Sequence, residues 1–252
     1  MIGTNPKVLA GVVAALVTGA LLLGMLAAAL TGGGSGGAEA ADGAGPDRET
    51  AGAGDPSALE PLPEDHPVHG LARRDAADPF ALGDPDAPVV MLTYTDFQSA
   101  LAARFARETE PGLVSDYVDA GVLRIEFRSF PVNGPESDLA ARAAWAAGQQ
   151  DRFWEFYRAA YAEDTHIGSG RFSREGVLAM AEEAQVPDLE RFATDLDSAA
   201  AGEAVAADAD EALLLGVSAV PTFLIDGHPL VGNRPAEEFR DHIEQLAGAA
   251  SG

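Results

Sequence analysis

The residues with spacing that could do chemistry are few. In DFQSALAARF (residues 96–105), Ser99 and Ala102 stand three apart, where an apolar β-rich run gives way to helix formers. A serine hydroxyl at such a junction can cap a helix by accepting a backbone N–H, or it can act on a ligand held at the helix N-terminus. It has no nucleophile setting of a familiar kind: the chain holds no GxSxG, no SxxK around Ser99 and no Gly-rich phosphate loop. Cysteine is absent, so no thiol nucleophile, disulfide framework or Cys-ligated metal is available. The five histidines are scattered and form no HExxH. His66 and His69 are spaced as a metal pair could be, but they lie in polar linker sequence and read as solvated, so no metal site and no cofactor is expected.

The elements that would position Ser99 follow from patterning. Residues 88–97 form a strand-length apolar run, with Ser99 as N-cap of the next helix. Pro111-Gly112 should kink or restart that helix, and residues 117–120 close the segment. Residues 122–130 alternate as a strand, with Val122, Arg124, Glu126 and Arg128 opposite Leu123, Ile125, Phe127 and Ser129. A loop at residues 131–135 leads to a mostly helical stretch over about 136–215. There Ala143, Trp145, Phe153, Trp154, Phe156, Tyr157 and Tyr161 read as core. Ser173 suits another N-cap, with Glu175 beside it. The acids of residues 189–216 read as a solvated face. Residues 220–227 and 228–232 form a hairpin turning at Asp226-Gly227, and a last helix covers residues 235–246. Strand, helix, strand at the start predicts a parallel pair, and the late hairpin an antiparallel one.

Ahead of this domain, residues 8–30 carry no charge. As a helix they would rise about 35 Å, against a hydrocarbon core of about 30 Å. Lys7 precedes the run, while Glu39, Asp42 and Asp47 follow it. The expected arrangement is a single-pass anchor over residues 1–31 in the cytoplasmic membrane, with the C-terminal part extracytoplasmic. Residues 32–70, rich in Gly, Ala, Pro and acids, read as a flexible tether, and residues 71–252 as the folded domain. The formal net charge is −24, from 40 acidic and 16 basic side chains. With no basic patch, nucleic acid is excluded as a partner.

Four segments resemble a known family: residues 77–98, FRSFPVN at 127–133, DRFWEFYRAAYA at 151–162 and GVSAVPTFLIDGHPLVG at 216–232. They are similar, in order, to the DsbA-type thioredoxin fold, an α/β fold with a helical insertion, in its membrane-tethered bacterial form. The resemblance implies a thiol-disulfide oxidoreductase whose CxxC opens the first helix. Those two positions fall here on Ser99 and Ala102. A hydroxyl and a methyl cannot exchange disulfides. A glutamate that related sequences often carry in the first strand falls on Thr93. The resemblance also makes Val220-Pro221 a cis-proline loop that faces the helix and takes extended peptides by strand addition. Ser99, Ala100, Leu101, Val220 and Pro221 would then form a mildly apolar groove for a peptide or an envelope protein. Three readings stay open: a redox-dead binding module, a serine-based thiol transferase or isomerase, and a CALC oxidoreductase whose cysteines were replaced by design.

Overall fold

The computed structural model describes residues 66–250 apart from Thr165. The expected span at residues 8–30 and the tether up to residue 65 lie outside the described residues. Among the described residues, no helix is long and apolar enough to cross a membrane.

Val89–Thr95 forms strand β2 (β1, Ala81–Leu82, precedes it), and every one of its side chains is buried. Such a run suits a central strand covered on both faces. Helix α1 (Ala100–Glu108) follows, then the short α2 (Glu110–Leu113) and one π-helical turn over Val114–Val118. The break falls where Pro111 removes a donor, as its sequence position predicts. Strand β3 (Leu123–Ser129) returns parallel to β2 in the register Val90↔Arg124, Leu92↔Glu126, Tyr94↔Arg128.

Five helices make the insertion: α3 (Pro135–Gly148), α4 (Phe153–Tyr161), α5 (Arg174–Glu183), α6 (Leu189–Leu196) and α7 (Ala199–Leu214). Ser173 caps α5 by accepting from Gly176 N at 3.3 Å. The hairpin β4 (Thr222–Ile225) and β5 (His228–Val231) turns at Asp226 and Gly227, with φ of 43° and 86°. Two positive φ values are what a tight two-residue hairpin requires, and Asp-Gly tolerates them. Helix α8 (Ala236–Ala250) closes the chain. The sheet order is β1-β3-β2-β4-β5, with only the β2–β3 pair parallel.

One sheet face buries Val89, Met91, Leu123, Ile125, Phe223 and Ile225 against Phe105 of α1 and Phe239 and Ile243 of α8. The insertion has its own aromatic core around Phe153, Phe156, Tyr157, Tyr161 and Phe172, reaching Phe97 and Phe127 at the sheet. Trp145 and Trp154 are only partly buried against it.

Two expectations change on the remaining face. The tether does not run to residue 70: a 3-10 turn at Pro67–Leu71 packs Val68 and Leu71 beside Val90, Leu92 and Tyr94. His66 begins that turn, accepting from Val68 N through Nδ1 at 3.3 Å. On the same face the charged side of β3 is covered: Arg124, Glu126 and Arg128 are all buried. Their partners include acids of α7 that the sequence suggests are free in water. Glu211 accepts from Arg128 Nε at 3.2 Å and from Tyr94 OH at 2.7 Å, and Asp208 accepts from Ser129 N at 2.9 Å. Amphipathic period alone cannot report this, because helix and strap cover what a bare sheet would leave wet.

Candidate active-site groove

The groove begins with a turn. Asp96 O accepts from Ser99 N at 2.9 Å, and the Asp96 carboxylate accepts from Gln98 N at 2.8 Å. The turn ends the strand and sets Ser99 in extended backbone (φ −79°, ψ 114°), the geometry of an N-cap. The Ser99 hydroxyl accepts from Ala102 N at 3.2 Å and donates to Val220 O at 3.3 Å. The Val220-Pro221 peptide is cis, as the resemblance implies.

Ser99 and Val220 are therefore brought together across the groove, and Pro221 is buried behind them. Ala102 does not line the groove. It is buried at 2 % exposure, its methyl part of the core that includes Phe97. Ala100 is exposed, and Leu101 projects at the rim, 49 % exposed. Ser99 itself is only 8 % exposed, with both hydrogen-bonding directions in use.

Thr93 lies in β2 beneath this helix, in register with Phe127 on one side and Phe223 on the other. Its hydroxyl is buried and has no hydrogen-bond partner among the described residues. At the position the resemblance assigns to a proton-handling glutamate, the chain thus carries a neutral hydroxyl between two rings. The chemistry available here is hydrogen bonding and apolar contact.

Sequence reasoning passes over the group that fixes the groove. The Asp96 carboxylate, 1 % exposed, accepts from Ser137 Oγ at 2.6 Å, Val132 N at 2.8 Å, and Asn133 N and Nδ2, each at 2.9 Å. Charge-assisted bonds of this kind are about twice as strong as neutral ones, and their number offsets the cost of burying the charge. Gln98 extends the cluster, donating to Ser137 Oγ at 2.8 Å and Asn133 O at 3.1 Å, and accepting from Gly168 N at 2.7 Å. One aspartate and one glutamine so tie the start of α1 to the loop after β3, the start of α3 and the loop after α4. The Asp-x-Gln spacing ahead of a cap is the signal that could have been read, as an Asx turn.

A second acid sits deeper. Glu110, at the α1–α2 break, is buried and accepts from Tyr157 OH of α4 at 2.8 Å. Burial pushes its carboxyl up to about 7, with the Tyr157 bond and Arg158 pulling the other way. It belongs to the seam between the α1–α2 segment and the insertion.

The family described as Thioredoxin matches residues 75–245. A probable disulfide bond formation protein D of Bacillus cereus is 32% identical over 152 residues, which is 59% of this chain and 70% of that protein. A Na(+)/H(+) antiporter NhaA of Herminiimonas arsenicoxydans is 33% identical over 162 residues, 64% of this chain but 24% of the antiporter. Oxidised BdbD from Bacillus subtilis superposes with a TM-score of 0.63 at 21% identity, covering 68% of this chain and 94% of that one. With the sheet order, the helical insertion and the cis-proline loop already in place, these matches mean that the chain belongs to the thioredoxin family, in its DsbA-like thiol-disulfide oxidoreductase branch, while containing no cysteine.

Proposed function

We propose that this chain is a redox-inactive DsbA-like binding module. It receives an extended peptide or an envelope protein in the groove between the start of α1 and the cis-proline loop. In this reading residues 8–30 hold it in the cytoplasmic membrane and the domain works on the extracytoplasmic side. One observation carries it: Ser99 spends its hydroxyl on the helix cap and on Val220 O, while Ala102 is a buried methyl. Nothing there can form or resolve a mixed disulfide. The groove meanwhile keeps an exposed apolar rim at Leu101 and, on the loop that Asp96 holds, at Val132. That a comparable domain forms about a quarter of a membrane antiporter supports attachment to, or service of, a membrane protein.

A serine-based thiol transferase fits less well. It would need Ser99 Oγ free to donate to a bound thiolate, and the hydroxyl already donates to Val220 O.

The test is binding. A fluorescent, cysteine-free extended peptide library would be titrated into the full-length chain and into Leu101→Asp. The expected result is saturable binding that weakens about tenfold or more in Leu101→Asp, the loss of a desolvated apolar contact. Equal binding by both proteins, or none by the parent, would remove the groove from the account.

A further inference from the structure

A cavity of about 270 Å³, whose lining does not include Ser99, lies where the β1–β3 edge of the sheet meets the insertion. It is somewhat smaller than the ~300–1,000 Å³ of drug-sized ligand sites, with room for one ring and a short chain. One side is aromatic: Phe80, Phe127, Phe153 and Trp145. The ring of Phe80 stands nearly perpendicular to that of Phe153 at 5.0 Å between centroids, and Phe127 is 4.8 Å from the same ring. The facing side comes from α7, whose Ala204 and Ala207 keep the space open.

The mouth is charged and unevenly so. Arg73 and Asp208 line it, joined in an ion pair. Asp78 lies on the other side of Arg73, its Oδ2 at 3.9 Å from Arg73 Nη1, beyond hydrogen-bond reach. That oxygen is buried and has no hydrogen-bond partner among the described residues. One guanidinium therefore faces two carboxylates. Arg128 also acts on Asp208, but the adjoining network does not correct the imbalance: three arginines, Arg73, Arg124 and Arg128, meet four carboxylates, Asp78, Asp208, Glu126 and Glu211. An anionic ligand would enter beside excess negative charge. A cation would be drawn in.

We propose that this cavity binds a small amphipathic amine, with its apolar body among the aromatic rings and its cationic head on Asp208. Arg73, displaced from Asp208, then closes the remaining distance to Asp78 and satisfies the orphan oxygen. The exchange keeps every buried charge paired, which is the condition for burying charge at all. Burial also raises the Asp208 carboxyl above its usual range, so it gains from an additional nearby cation.

The two tryptophans make the test specific. Trp145 lines the cavity; Trp154 does not, its Nε1 donating to Ala81 O at 3.2 Å. The full-length chain, labelled with ¹⁵N-tryptophan, is titrated with 2-phenylethylamine, with neutral 2-phenylethanol and with anionic phenylacetate. The expected result is a saturable shift of the Trp145 indole signal by the amine, with Trp154 static, and at least about tenfold weaker binding of the alcohol and the acid. Ala204→Phe, which fills the cavity, should abolish the Trp145 shift while the Trp154 signal keeps its native position. No saturable shift, equal shifts from amine and acid, or equal movement of both indoles would each overturn the proposal. The three-ligand series on the parent chain decides it even if the variant does not fold.

Discussion

The two faces of the sheet handle charge in opposite ways. The face under α1 carries the groove, and its central strand residue there is Thr93, a neutral side chain between Phe127 and Phe223. On the other face, the same strands hold a dense ionic network. Glu126 accepts from Arg124 Nε at 2.8 Å, from Arg128 Nη2 at 2.9 Å, and from the backbone N–H groups of Arg73 at 2.9 Å and Arg74 at 2.8 Å. Arg124 donates on to Asp75 O at 2.7 Å and Gly83 O at 3.0 Å, and Arg128 to Leu71 O at 3.0 Å. This charge straps residues 71–75 across the sheet and ties β3 to Gly83 and to Glu211 of α7. The comparison teaches that strong electrostatics in an oxidoreductase fold need not mark its site. Here the charged face builds the structure, while at the start of α1 the one buried carboxylate described, that of Asp96, is taken up by holding the loop after β3.

Breaking the charged face should produce the largest effect. Glu126→Leu would leave two arginines and two backbone donors without their common acceptor. Removing one partner of a buried ion pair costs roughly 3–5 kcal/mol, to be read as a drop in urea midpoint at pH 7. Loss of the acid itself is governed by a low pKa. Burial opposes the Glu126 charge, but the Arg124 hydrogen bond, Arg128 and the two backbone donors outweigh it and hold the carboxyl at about 2. The folded value lies below the ordinary 4.5, so this contribution is present above about pH 4.5 and is lost as pH falls through about 2.

Glu110 runs the other way, and the contrast can be sharpened by titration. Its carboxyl sits at about 7 when folded against 4.5 ordinarily, so the native state binds the extra proton. The stability it confers is full below about pH 4.5 and declines as pH rises through about 7. At 1.36 kcal/mol per pKa unit, the decline is about 3 kcal/mol. Glu110→Gln should flatten that part of the stability–pH curve and be more stable than the parent at pH 8. Retention of the parent slope in the variant would assign the titration to another group.

Much of this was legible in the sequence, and the failures share a cause. The strand at residues 88–97, the cap at Ser99, the restart at Pro111 and the Asp226-Gly227 turn all rest on local chemistry, and all are present; the cis Val220-Pro221 bond, also present, was implied only by the family resemblance. What local pattern could not supply was cover. Alternation in β3 marks Arg124, Glu126 and Arg128 as polar-side residues, but whether that side is wet depends on a strap about 50 residues upstream and a helix about 80 residues downstream, as the Arg73–Glu126 and Arg128–Glu211 bonds show. Asp208 and Glu211 read as solvated for the same reason. At the start of α1, the Ser99 hydroxyl meets Val220 O and Ala102 is buried, and Asp96 was missed because its partners come from residues 132–137.

Removing only the groove hydroxyl should have a small effect. Ser99→Ala deletes the α1 cap and the bond to Val220 O, with an expected cost of about 1 kcal/mol in thermal or chemical unfolding. Peptide binding through the Leu101 rim should persist, because the serine is a structural cap and not a reacting group. A loss of binding larger than the loss of stability would make Ser99 part of the recognition surface.

The central claim is that the redox scaffold survives without its chemistry. Its most direct test is a thiol-disulfide exchange assay, the dithiothreitol-driven reduction of insulin, run on the full-length chain and on Ser99→Cys with Ala102→Cys together. The account predicts no catalysis above the uncatalysed rate from the parent, and clear catalysis from the double variant, since the helix N-terminus and the cis-proline loop are already in place to lower a thiol pKa and orient a substrate. Turnover by the parent, or a double variant that folds and stays inert, would contradict it.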